Sequence, residues 1–110
     1  MYKVIVFAGT TEGYGLCRFL GENQIPVLGC VATEYGAKSL QEGEFLHVRA
    51  GRLTRPEMEE LLKRERPQLV LDATHPYAAE VTENIRTACS NTEISCIRVL
   101  RNDSEHQQAV

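Results

Sequence analysis

The sequence has no apolar run long enough to span a bilayer, no surplus of basic charge and no closely spaced pair of cysteines. Each absence removes a class of function. A transmembrane helix needs about 20 predominantly apolar residues, and here a strand-like run follows Met1 at once, where a secretory leader would carry its charged and apolar regions. The chain is therefore expected to be cytoplasmic, with no membrane partner. Its formal charge of −3, with acids and bases interspersed, offers no basic stripe to displace counterions from a nucleic acid, so none is expected as a partner. Cys17, Cys30, Cys89 and Cys96 lie far apart, and each falls in an expected helix or strand. They read as small buried thiols of a reducing compartment, not as a disulfide framework or a metal site. His47, His75 and His106 are too scattered for metal-ligand spacing, and no metal is expected.

What is present is an alternation of strand-like and helix-like segments from end to end. At 110 residues the chain is long enough for one domain with a real core, but small for an enzyme that holds both cofactor and substrate. Residues 2–8 form a β-branched, nearly continuous apolar run, as expected of a strand covered on both faces. Over residues 12–23, Leu16, Phe19 and Leu20 share one helical face, although Gly13, Gly15 and Gly21 weaken the intrinsic propensity. Residues 26–32 read as a second strand with Pro26 at its start. A short connection through residues 37–41 leads to residues 45–49, whose alternation fits a strand solvated on one face, near a sheet edge.

Thr54 and Glu57 make a capping box, and Met58, Leu61 and Leu62 give the stripe of an amphipathic helix ending before Pro67. Residues 69–73 are a fourth strand. The following helix carries Val81, Ile85, Ala88 and Cys89 on one face, and residues 95–100 supply a fifth strand. Five strands joined by helical crossovers predict a Rossmann-like, doubly wound parallel sheet of order 3-2-1-4-5, with helices on both faces. Residues 1–100 would form this domain. Residues 101–110 lose apolar periodicity and are expected to be a flexible tail or the start of a linker.

Three polar turns follow strand-like runs and would converge on the carboxyl edge of one sheet, where such folds hold ligands. The first is Gly9-Thr10-Thr11-Glu12-Gly13. Its glycines would let backbone approach a phosphate, its threonines would add hydroxyl donors, and the next helix would present its positive dipole end. The spacing is neither Gly-x-Gly-x-x-Gly nor a Walker A loop, so a glycine-rich connection without a ligand stays open. In the second turn Glu34 stands where dinucleotide folds place a ribose-binding acid. A 2′-phosphate would meet its charge with no basic residue adjacent in sequence, which favours NADH over NADPH; a solvated loop glutamate is the alternative. The third turn is Asp72-Ala73-Thr74-His75-Pro76-Tyr77-Ala78-Ala79-Glu80. His75 could serve as general acid, cofactor contact or simple loop packing. Pro76 biases it toward an extended conformation. Asp72 could tie the turn together by accepting backbone N–H bonds.

Together, the motifs at residues 9–13, 31–36, 72–78 and Gly51-Arg52-Leu53 resemble, in order, the precorrin-6A reductase family of cobalamin biosynthesis. The resemblance implies a nicotinamide-dependent reduction of one macrocycle double bond, in precorrin-6A or its cobalt-containing counterpart. The Thr33-Glu34-Tyr35-Gly36 turn is more similar to the cobalt-first branch, which is associated with NADH. By this resemblance Gly9, Thr10, Thr11, Glu12 and Gly13 would hold the pyrophosphate, Glu34 the ribose and Thr74 part of the cofactor. Arg52, His75, Pro76 and Tyr77 would meet the tetrapyrrole, and His75 or Tyr77 would donate the accompanying proton. Two departures stand out. Ala8 occupies a position where members usually carry glycine, and the resemblance covers only the N-terminal half of a member. A C-terminal α/β domain or partner chain is therefore expected to supply the opposite wall of the site. The competing expectation is a non-catalytic nucleotide-binding or interaction module of the same fold. A receiver-like signalling domain is disfavoured, because no clustered acidic pocket follows the first strand.

Overall fold

The computed structural model describes residues 1–100; the expected tail or linker at 101–110 lies outside the described residues. Strand and helix alternate as β1 (Val4–Ala8), α1 (Thr11–Glu22), β2 (Val27–Val31), α2 (Glu34–Ala37), β3 (Leu46–Ala50), α3 (Arg55–Glu65), β4 (Leu69–Ala73), α4 (Ala79–Thr92) and β5 (Cys96–Arg98). The strands form one parallel sheet in the expected order, β3-β2-β1-β4-β5. Among the described residues no helix is long and apolar enough to cross a membrane.

Because successive side chains of a strand point to opposite faces, the buried central strands feed two cores. Ile5, Phe7, Leu28, Cys30 and Val70 pack with Met58, Leu61 and Leu62 of α3 and with Ile85, Ala88 and Cys89 of α4. Val4, Val6, Ala8, Val27, Val31, Leu71 and Ala73 pack on the other face with Cys17 of α1 and with Leu40. Right-handed crossovers account for this division. Connections running toward β3 lie on one face, and those running toward β5 lie on the other.

Two of the three glycines of α1, Gly13 and Gly21, have a packing reason, whereas a Cβ on Gly15 would meet nothing within 4 Å. A Cβ on Gly13 would stand 3.0 Å from both Ala8 Cα and Ala73 Cβ, and one on Gly21 would stand 3.1 Å from Leu46 Cβ. The helix loses propensity at these positions and gains a close seat on the sheet. At the other helix predicted with a cap, Thr54 Oγ1 accepts from Glu57 N at 3.3 Å while Thr54 N donates to Glu57 Oε1 at 2.8 Å. These bonds hold the Glu57 carboxyl below its usual range.

Three expectations need adjustment. The connection after β2 contains a short helix, α2, and β1 and β5 are shorter than their apolar runs. The third strand is an edge strand as expected, with His47 and Arg49 exposed. Its unpaired side is partly closed by Glu42, whose Oε2 accepts the Val48 N–H at 2.7 Å, as edge strands require.

The cysteines are buried at 17, 30 and 89, but Cys96 is exposed, which corrects the uniform expectation. Burial pushes the Cys17 thiol up to about 11 and the Cys30 thiol up to about 12. Cys89 hydrogen-bonds to Cys96, which lowers the pKa of the Cys96 thiol and raises that of Cys89. The thiolate is the nucleophile. Brief treatment with iodoacetamide near pH 8 should therefore alkylate Cys96 first and leave Cys17 and Cys30 untouched, as read by peptide mass spectrometry; equal labelling of all four would contradict the fold around them.

Candidate functional site

The order β2-β1-β4 places the three polar turns side by side at one edge. Gly9 N donates to Ala73 O at 3.1 Å, and Thr10 Oγ1 donates to the same carbonyl at 2.9 Å. The first and third turns are thus joined across the end of β4. The approach is close: a Cβ on Gly9 would lie 3.4 Å from Thr74 Cα and 3.5 Å from His75 N. Thr10 also caps α1, its Oγ1 accepting from Gly13 N at 3.2 Å. Its hydroxyl proton is directed within the fold, to the Ala73 carbonyl. Gly13 is buried between helix and sheet, so its first role is packing. Gly9 and Thr11 are exposed, with Glu12 next to them in the first turn of α1.

The second turn repeats the same local design. Thr33 caps α2 by accepting from Gly36 N at 3.1 Å, and Glu34, the first residue of α2, is exposed. Both caps use a Thr-x-x-Gly spacing that the sequence displays, although the cap was anticipated only at Thr54. Arg52 belongs beside this turn. Gly51, with φ at +113°, donates its N–H to Val31 O at 2.9 Å, which brings the end of β3 against the end of β2. Because β2 and β1 separate β3 from β4, strand spacing sets the third and fourth strands roughly 14 Å apart. Arg52 thus follows a strand three places along the sheet from the one that leads to His75, Pro76 and Tyr77.

In the third turn, Asp72 is 2% exposed and ties the chain together as anticipated. Its Oδ1 accepts from Thr74 N at 3.1 Å and from Thr74 Oγ1 at 2.7 Å. Thr74 Oγ1 also lies 3.2 Å from Thr82 Oγ1, so this hydroxyl serves the fold before any cofactor. Arg98 pairs with Asp72 at 3.1 Å, a contact not foreseen because it depends on β5 lying beside β4. Beyond Thr74, Ala78 N donates to His75 O at 2.9 Å, closing a turn with Pro76 in its second position. His75 Nδ1 accepts from Tyr77 N at 3.2 Å, which assigns the proton of the neutral ring to Nε2. The two rings lie 5.4 Å apart, and Tyr77 is 90% exposed. Among the described residues no cluster of His, Cys, Asp or Glu could hold a metal ion.

A parallel 3-2-1-4-5 sheet, a glycine-containing first turn on a helix N-terminus and an acid beyond the second strand define a Rossmann-like, doubly wound domain. The family model described as Precorrin-6x reductase CbiJ/CobK matches residues 3–110, and the chain belongs to that family. It is 37% identical over 98 residues to the cobalt-precorrin-6A reductase of Salmonella typhimurium, covering 89% of this chain and 37% of the relative. The solved structure of CobK precorrin-6A reductase superposes with a TM-score of 0.76 at 27% identity, over 92% of this chain and 38% of that one. The Bordetella bronchiseptica enzyme WbmH, solved with NAD+, shares the fold with a TM-score of 0.69 at 16% identity, over 86% and 36% of the two chains. The chain therefore spans less than two fifths of the length of these relatives.

Replacing Asp72 by alanine removes the acceptor of both Thr74 and Arg98. Equilibrium urea unfolding should show a loss of about 2–3 kcal/mol, less than for a fully buried pair because Arg98 is partly exposed. Tyr77→Ala, at an exposed side chain, should stay within about 0.5 kcal/mol of the parent.

Proposed function

We propose that this chain is the cofactor-binding part of a precorrin-6A reductase, acting on precorrin-6A or its cobalt-containing counterpart with NADH as reductant. The observation that carries the reading is the convergence of the turns after β1, β2 and β4 on one edge, joined at the Ala73 carbonyl. Family membership and the names of the relatives supply the reaction class.

The residues fit a dinucleotide. Gly9 sits so close to the third turn that a side chain there would already touch Thr74, and the start of α1 offers its positive dipole end beside it. Glu34 lies exposed just beyond β2, placed to accept from ribose hydroxyls. When bound, the nicotinamide cofactor supplies a hydride. The protein's own part is to orient the reacting rings along the edge, with His75 holding a proton on Nε2 and the Tyr77 ring 5.4 Å from it. The remainder of a full-length reductase, as a C-terminal domain or a partner chain, would close the opposite wall and exclude water.

Amide NMR of the chain titrated with NADH should show shifts at Gly9, Glu34 and His75, and silence at all three would overturn the reading. NADH should bind more tightly than NADPH. Glu34→Gln should narrow that ratio by about tenfold, the equivalent of ~1.4 kcal/mol for removing one like-charge contact. Arg52→Ala should widen it, because Arg52 follows Gly51, whose N–H bonds the end of β2 at Val31 O.

A further inference from the structure

Arg98 is the last residue of β5, in register with Asp72 of β4. Its guanidinium gathers the end of β4 and the start of the following turn. Nη1 donates to Asp72 Oδ1 at 3.1 Å, Asp72 O at 3.2 Å, Thr74 O at 2.9 Å and Thr74 Oγ1 at 3.2 Å, sharing its two protons among them. Nη2 donates to His75 O at 3.2 Å. The next residue adds a main-chain tie, Val99 N to Asp72 O at 2.8 Å. The helix that follows reaches the turn through Thr82 Oγ1, 3.2 Å from Thr74 Oγ1, while its N-cap residue, Ala78, makes no side-chain capping bond.

Two features separate this arginine from one that binds a ligand. Its charge is matched by the buried Asp72 carboxylate, and its donors toward the turn are taken by carbonyl and hydroxyl oxygens of the protein. A planar fork with two terminal nitrogens can hold the carbonyls of Thr74 and His75 at once, whereas an ammonium group is a point charge that could neutralise Asp72 without spanning both. We propose that Arg98 is a positioning residue. It fixes the Thr74 and His75 carbonyls, and through them the direction in which the His75 ring and the Tyr77 turn are presented, without itself touching cofactor or substrate. Its functional meaning rests on the proposed nucleotide site; its geometric claim does not.

The test uses the whole chain with Arg98→Lys, which keeps Asp72 paired, and Arg98→Gln as a second variant should the first fold poorly. In the parent, 15N NMR of the His75 ring should show one neutral tautomer, with Nδ1 as acceptor and Nε2 protonated. Arg98→Lys should move both ring nitrogens toward tautomer-averaged shifts. It should also speed hydrogen exchange at the Tyr77 and Ala78 amides at least ~10-fold, while the capped amides of Gly13 and Gly36 keep their rates. Unchanged His75 signals and Ala78 exchange in both variants would overturn the proposal. So would equal acceleration at Gly13 and Gly36, which is general loosening. With NADH added, the variant should retain the shift at Gly9 and lose the one at His75. If NADH shifts nothing in the parent while Arg98→Lys releases the turn, the nucleotide reading fails and the positioning role stands.

Discussion

The end of β4 is the point on which the rest of the carboxyl edge depends. The Ala73 carbonyl receives the Gly9 N–H and the Thr10 hydroxyl, and one residue earlier the buried Asp72 carboxylate receives Thr74 and Arg98. A buried carboxylate is tolerated only when it is paired and hydrogen-bonded. Here each partner that satisfies it also belongs to the functional edge. The same bonds that make Asp72 acceptable in the core therefore set the shape of the turn beyond it, and through the Ala73 seam they set the distance between the first and third turns.

Close approach is the second theme. The short side chains at Gly9, Gly13 and Ala73 let α1 and the β4 turn come nearly into van der Waals contact with β1. In a phosphate-binding loop small residues are usually explained by room for the ligand. Here Gly13 has its reason inside the protein, in the seating of the helix, and only Gly9 stands at the exposed edge. Thr10 shows the same displacement of role, since its hydroxyl caps α1 and anchors to β4 at once. The side chains left to meet a ligand are those at the rim, among them Thr11, Glu34, Arg52, His75 and Tyr77, all exposed.

Much of this was legible from the sequence. Apolar runs, the alternation at residues 45–49 and the 3.6-residue stripes predicted the five strands and the three long helices, because burial on one or both faces is written directly into residue choice. Strand order followed from the handedness of crossovers, and the turns at residues 9–13, 31–36 and 72–78 were located by their glycines and polar residues. The role of Asp72 in tying its turn was also readable, because an aspartate two residues before an N–H is a local geometry. The neighbour of Arg52 and the partner of Asp72 were not. The end of β3 just before Arg52 meets the end of β2 through a hydrogen bond between residues 51 and 31, and Arg98 meets Asp72 across 26 positions of chain.

The sequence by itself determined the class of fold, the edge on which chemistry would gather and the family, since these rest on local periodicity and on motifs in order. Only the tertiary structure decided which polar groups remain available there. It occupied Thr10 and Thr74 internally and joined Arg98 to Asp72 and to the Thr74 and His75 carbonyls. The physical reason is that hydrogen-bond capacity is exclusive: a donor is available to a ligand only if no nearer acceptor claims it, and nearness across strands is set by pairing and register, not by sequence distance.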